Sequence, residues 1–352
     1  RAGRLGRARR GGAGGRRPRG RTPPPPPRGP PPRPPRRPGG GGAACLAAPA
    51  LAQPGAVVKF TVGYPPGGLM DAIARLLAQG LERELRRTVI VENRPGAGAR
   101  LAASLFKRQP ADGTNLMLAT DSLMVHAPHV FTRLGFDVFQ DFTPVAAVSS
   151  FSYVLATGPD PRADSLGALA EWLRRSPDRA AFGHPGAGSA PHFFGLVLGE
   201  KFGVPLTAVP YQGGAPLLTA LASGGQITFG VNALASDMLE FHRSGRTRIQ
   251  AVTGDQRSAL LPDVPTFGEL GYPSVPRGWS ALYLPHDAAA EVVSRLNEAL
   301  QAVLAQQEVR ERIAGFGMQT ESGSAQRLAR LARADYATWK PIIEKSGFKL
   351  DS

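Results

Sequence analysis

Two rhythms of apolar positions alternate along residues 57–352. Val57 to Val62 (VVKFTV) is apolar and β-branched, as a strand requires, whereas Ile73, Leu76, Leu77, Leu81 and Leu85 recur at helical spacing. The same succession continues. Thr88 to Asn93 (TVIVEN) reads as a strand, Gly98 to Arg108 as a helix, and Asn115 to Thr120 (NLMLAT) as a strand after the turn Asp112-Gly113. Ser152 to Gly158 is a further strand, followed by a helix capped by Ser165 and running to Arg175. Helices are expected near Ala190–Phe202 and Ala215–Ser223, with a strand near Leu206–Val209 between them. ITFGVNAL and RIQAVTG are apolar enough to be buried strands. Asp287 to Gln307 and Ser324 to Ser346 read as long helices with little strand between. No internal repeat of fixed period is visible.

Such alternation predicts α/β architecture, with parallel sheets covered by helices. About 300 residues is too many for one core and suits two α/β domains. Changes of pattern near 150–160 and 275 place one domain on 57–155 and 275–352 and the other on 156–274. A chain that crosses twice between domains is a hinged arrangement.

Two turns stand out from this frame. Between the first strand and first helix lies Pro65-Pro66-Gly67-Gly68, and HPGAGSAPH (His184 to His192) repeats the theme of strand, Pro/Gly turn and helix. In open parallel sheets, ligands lie beyond the carboxyl ends of the strands, where loops feed helix N-termini. A helix N-terminus offers unpaired N–H groups and about half a positive charge. Glycine lets that backbone approach an anion with no Cβ in the way. Two such turns facing each other would hold a carboxylate by amides alone. The dinucleotide fingerprint does not match at Gly63 to Gly68, and no Gly-Lys-Ser/Thr phosphate loop occurs.

Charge changes the picture only at one end. The chain carries 42 basic and 27 acidic residues, a net +15, but 13 of its arginines lie in residues 1–56, which hold no acid. The remainder has 29 basic and 27 acidic residues and is nearly neutral. Residues 1–56 read as an extended, solvated Arg/Pro-rich extension, of the kind that GC-rich DNA read as coding would give, ending in a signal-peptide-like segment. Arg36-Arg37, the apolar run Ala43 to Ala52 and the A-x-A site Ala50-Leu51-Ala52 follow the order of a secretory signal. Cleavage is expected near Ala52/Gln53, with export to the periplasm and no nucleic-acid partner. Cys45 is the only cysteine, so the exported body would have no disulfide and no thiol site. His126 and His129 have neither metal-ligand nor catalytic spacing, and no metal or cofactor is expected.

A series of motifs resembles the receptors of the tripartite tricarboxylate transporter family (TctC or Bug receptors). They are Pro65 to Ala78 (PPGGLMDAIARLLA), Val91 to Gly98 (VENRPGAG), Ala111 to Leu116 (ADGTNL) and Phe139 to Ala146 (FQDFTPVA). They continue with Gly186 to His192 (GAGSAPH), Val209 to Gly224 (VPYQGGAPLLTALASG) and Leu261 to Pro273 (LPDVPTFGELGYP), so the resemblance covers essentially all of 57–352. It implies a fold like type II periplasmic binding proteins, two α/β domains with a ligand cleft between them. It implies a small carboxylate ligand (a di- or tricarboxylate or related organic acid), membrane transporter subunits as partners, a monomer and no catalysis. The binding loops carried over are Tyr64 to Asp71 and His184 to Ser189. Three positions depart from the family pattern: Leu69 replaces a usual Ser/Thr, Ala99 a frequent glycine, and Asn232 a common acid. Together they point to a ligand less polar than an acidic amino acid.

The candidate ligand-binding residues are Tyr64, Pro66, Gly67, Gly68, Leu69, Met70 and Asp71 in the first turn, and Ala187, Gly188, Ser189 and His192 in the second. Thr120 and Asp121 at a strand end, Tyr211 after a strand and Asn232 complete the set. Asp71 and Ser189 each have a competing role as helix caps, and His192 one as a packed helix residue. Two other functions stay open: a carboxylate-sensing receptor with no role in transport, and a hydrolase using Ser189. The latter lacks the G-x-S-x-G spacing, because Ala190 and Pro191 follow the serine.

Overall fold

The structure, a computed structural model, describes residues 56–161 and 163–351. The expected leader, its cleavage site and Cys45 lie outside the described residues.

The chain begins with β1 (Val58–Val62), whose alternate residues Val58, Phe60 and Val62 are fully buried. It is followed by α1 (Leu69–Leu85), β2 (Val89–Asn93), a 3-10 turn at Ala97–Ala99 and α2 (Arg100–Phe106). Then come β3 (Asn115–Thr120), a π-helical turn at Ser122–His126, α3 (Ala127–Val130) and β4 (Phe142–Phe151). A second group comprises β5 (Tyr153–Thr157), α4 (Leu166–Arg175), β6 (Ala181–His184), α5 (Ala190–Phe202), β7 (Thr207–Pro210), α6 (Gly214–Ser223), β8 (Phe229–Ala233), α7 (Ser236–Arg243) and β9 (Arg248–Val252). The chain returns through β10 (Gly278–Pro285), α8 (Ala290–Leu304), α9 (Gln307–Gly315), β11 (Gln319–Thr320) and α10 (Ala325–Lys345).

These strands build two sheets, ordered β11-β4-β10-β3-β1-β2 and β7-β6-β8-β5-β9. Both are mixed rather than parallel, which corrects the sequence expectation. β10 runs antiparallel to β3 and β4, and β5 antiparallel to β8 and β9. The reason lies in the crossings. β4 passes into β5 through the single residue Ser152, and the return runs from Val252 to Gly278. Each crossing strand therefore enters its sheet from the carboxyl edge of the parallel strands. Periodicity did not reveal β4 and β10, because β10 is buried at every position and shows no alternation.

Three apolar clusters form the core. One lies between the first sheet and α1, α8 and α9; another lies between the second sheet and α6 and α7. The third is continuous across both sheets, joining Phe182, Phe193 and Phe194 to Trp279, Trp339 and Ile343. The two crossings are tied to each other: Tyr153 N–H donates to Thr253 Oγ1 at 2.9 Å, and Thr253 N–H donates to the Tyr153 carbonyl at 2.8 Å. Parallel pairing aligns the strand ends. Val62 sits opposite Asn93, and His184 opposite Pro210, so the turns after β1 and β6 each leave from a carboxyl edge.

Candidate functional site

The turn after β1 is shaped by one acid. Asp71 is buried in the first turn of α1, and its Oδ2 accepts from Gly67 N–H at 2.9 Å and from Arg75 Nε at 3.0 Å. Its Oδ1 accepts from Asn93 Nδ2 at 2.9 Å, and the same amide donates to the Tyr64 carbonyl at 3.1 Å. The Arg75 bond, ahead of the Gly67 and Asn93 bonds, holds the Asp71 carboxyl down at about 2. Asp71 therefore fixes the turn and offers no free oxygen pair to a ligand. The amide of Gly68 donates to the Pro65 carbonyl at 3.3 Å. Among the described residues, the amides of Leu69, Met70 and Asp71, the first three of α1, take no intrachain acceptor. Pro66, Gly67 and Leu69 are exposed, while the Met70 side chain is buried in the core under α1.

The second turn uses histidines. His184, at the end of β6, meets the Gly186 carbonyl with Nδ1 at 2.9 Å; a carbonyl only accepts, so Nδ1 carries the proton. Gly188 N–H donates to His192 Nδ1 at 3.2 Å, which makes that ring neutral with its proton on Nε2. The two imidazoles stack at 4.5 Å, and burial followed by the neighbouring His184 holds His192 down at about 4. Ser189 caps α5, accepting from His192 N–H at 3.4 Å, and its own amide donates to the Gly186 carbonyl. The amides of Gly186, Ala187 and Ala190 take no partner among the described residues, and Ala187 is exposed at the tip. Gly188 holds φ +76° and is enclosed: a Cβ there would lie 3.1 Å from Phe348 and 3.2 Å from Val130. Phe348 and Leu350 come from the tail after α10, which is held by a bond from Leu350 N–H to the Val130 carbonyl.

The remaining candidates lie deeper. Tyr64 donates or accepts with Thr120 Oγ1 at 2.8 Å, and burial raises its hydroxyl pKa. Asp121 is buried and accepts from Tyr153 OH at 2.8 Å, so it links β3 to the first strand of the other sheet. Burial pushes its carboxyl up to about 7. Tyr211 turns its ring toward Gly183, and its buried hydroxyl has no hydrogen-bond partner among the described residues. Asn232 accepts from the Ala233 amide at 2.9 Å and lies against Gly214 at the start of α6. Structure thus gathers Tyr64 with Thr120 and Gly188, Ser189 with His192, places Asp121 in the interior and leaves Tyr211 half-buried.

Three contributors escaped the sequence reading: Asn93, Phe348 and Leu350. Asn93 sits inside a motif already singled out, which was an available signal; Phe348 and Leu350 gave none.

No group of His, Cys, Asp and Glu side chains able to hold a metal occurs among the described residues, nor a helix long and apolar enough to cross a membrane. Among the described residues, the hydroxyl of Ser189 bonds the His192 backbone amide and meets no general base.

Residues 73–348 match the model of the tripartite tricarboxylate transporter family receptor. The chain belongs to this family. As a TctC-type solute-binding receptor it is similar to BugT of Bordetella pertussis, at 30% identity over 87% of this chain and 94% of that one. It is also similar to two structures from Rhodopseudomonas palustris. One is MatC with bound malate (27% identity, TM-score 0.68, 82% of this chain and 98% of that one). The other was solved with adipate (28%, TM-score 0.72, 84% and 98%). The α/β architecture expected from the sequence, two sheet-centred domains of the periplasmic binding type, is the one such receptors share.

Proposed function

We propose that this TctC-type receptor captures a small carboxylate in the periplasm between its two glycine-rich turns and delivers it to the membrane subunits of a tripartite transporter. The observation that carries the reading is the pair of amide clusters. Leu69, Met70 and Asp71 at the start of α1 on one side, and Ala190 at the start of α5 with Gly186 and Ala187 in the turn before it on the other, carry unpaired N–H groups, each set at a carboxyl edge. Such groups favour anions. The relatives crystallised with malate and adipate support the same ligand class. The two sheets then serve as the two domains of a monomer, joined at Ser152 and across 253–277, which close on the ligand.

Binding without turnover is favoured over hydrolysis by the capping role of Ser189. Calorimetry of the exported protein against malate, adipate and other organic acids tests the proposal. Saturable binding of at least one acid, recovered unchanged, is the expected result. Silence across the panel, or steady release of a product, overturns it. A sensor with no transport role would bind equally well but would not restore uptake in cells given the transporter subunits.

A further inference from the structure

A crevice of about 730 Å³ lies away from the glycine turns, where the chain crosses between sheets. Its walls include Ser152 of the first crossing, residues 254–259 and 274–277 of the return, and Arg327, Leu331 and Asp335 of α10. That volume falls within the roughly 300–1,000 Å³ usual for small-molecule sites.

Two polar groups in its wall are nine-tenths buried and incompletely paired. Ser152 is 6% exposed, and its hydroxyl has no partner among the described residues. Asp335 is also 6% exposed; its Oδ2 accepts from Trp279 Nε1 at 2.8 Å, whereas Oδ1 has no partner among the described residues. Burial raises the Asp335 carboxyl to about 6, as befits an acid with no cation beside it. The opposite end is basic. Arg327 is mostly exposed, and its one ion pair, to Glu321, is long at 3.8 Å. Glu321 is already engaged by Ser150 at 2.7 Å and by Arg277 at 3.3 Å. Arg257, also in the wall, is held by both oxygens of Glu269. Among the described cations of the crevice, Arg327 is therefore the one with donors to spare, and it lies in the first turn of α10, whose amides at Ala325 and Gln326 take no partner among the described residues. From 327 to 335 the helix rises about 12 Å, with Leu328 and Leu331 lining the crevice between.

We propose that this crevice is a second ligand site, taking an elongated small molecule with a carboxylate at one end and a protonated amine at the other. The amine meets Asp335 Oδ1 and the Ser152 hydroxyl; the carboxylate meets Arg327 and the start of α10; the apolar chain lies along Leu331. The assignment is independent of the ligand held at the glycine turns.

The test is calorimetry with ω-aminooctanoate, whose charged ends roughly match the spacing, against octanoate and octylamine. The amino acid is expected to bind about tenfold tighter than either singly charged probe. Asp335→Asn, which keeps an acceptor for Trp279, should remove its advantage over octanoate. Arg327→Gln should remove its advantage over octylamine. Both variants should bind malate or adipate as the parent does, which separates failure here from failure of the cleft reading. Equal binding of the three probes, no binding of the amino acid at millimolar concentration, or variants that bind it undiminished each overturn the proposal. Should Asp335→Asn lose its fold, the exposed Arg327→Gln decides alone.

Discussion

The turn after β1 is held by charge, and the turn after β6 by packing. In the first, Asp71 gathers Gly67, Arg75 and Asn93 within 3.0 Å, all from residues 67–93. In the second, a neutral imidazole takes the Gly188 amide, a second imidazole stacks on it at 4.5 Å, and Phe348 closes the other side at 5.1 Å. Both arrangements leave three amides unpaired among the described residues, in the first turn of α1 and from the loop leading into α5 to its first residue. An ionic clamp is local in sequence and withstands acid down to its own low pKa. A packed clamp is assembled from distant segments, and it fails when a histidine gains a proton.

The largest effect should come from filling the packed turn. Gly188→Val puts a branched side chain at φ +76° against Phe348 and Val130, at a cost of about 3 kcal/mol or more, and carboxylate binding should fall below detection. Gly68→Val has an ordinary φ of −79°, and its Cβ would meet only the Pro65 carbonyl at 3.3 Å, so it should cost less than about 1 kcal/mol. Calorimetry with circular dichroism as the folding control checks both. Equal losses would break the contrast.

Next comes the ionic clamp. The folded Asp71 carboxyl lies at about 2 against 3.8 for an ordinary aspartate. A depressed acid contributes stability above its unfolded pKa and loses it as pH falls through the folded one; here that is about 2 kcal/mol. Asp71→Asn should lose this amount near neutrality, and its stability should change less than the parent's between about pH 4 and pH 2. Denaturant titrations at stepped pH measure the difference.

The packed turn loses stability in the same direction but over a higher pH window. His192 lies at about 4 in the folded chain and 6.5 when unfolded, so between these values the unfolded chain binds more protons. Stability should fall with acidification through that range, by about 1.4 kcal/mol per pH unit for this group. His126, buried with no hydrogen-bond partner among the described residues and held down at about 3, adds in the same direction. The His192→Asn variant, whose carbonyl accepts from Gly188, isolates the first contribution when subtracted from the parent. An unchanged slope would remove the histidine from the account.

Smallest is the cap. Ser189→Ala loses a hydrogen bond that is long at 3.4 Å, so thermal unfolding should report a cost at the low end of the roughly 0.5–2 kcal/mol for N-caps. Carboxylate affinity should change by less than about 1 kcal/mol, because the hydroxyl faces its own helix. A tenfold loss of affinity would make Ser189 a ligand group.

These contrasts follow what was readable in the residues. Ser165 was expected to cap a helix ending at Arg175, and it accepts from Ala168 N–H at 3.1 Å on α4 (Leu166–Arg175). Asn115 to Thr120 is β3 over the same six residues. The amide reading singled out both turns, but the glycines it emphasised are not the free donors. Gly67, Gly68 and Gly188 give their amides to Asp71, Pro65 and His192, and apart from Gly186 the unpaired N–H groups belong to neighbours with side chains. Those three glycines let the turns bend; their neighbours present the donors.

Periodicity, capping and turn chemistry act over a few residues, so the sequence by itself determined the longer helices, most of the strands, the two turns and the family. The short α3, α7 and α9 were not read from it. Which distant segments meet depends on how the sheets are threaded, and no local pattern records that. Tertiary structure alone decided that β5 and β10 run antiparallel and that Asp121 bonds Tyr153 across the junction of the sheets. It alone brought Phe348 and Leu350 to Gly188. Each depends on packing between residues far apart in the chain, where the free energy of burial selects the partner only after the whole fold has formed.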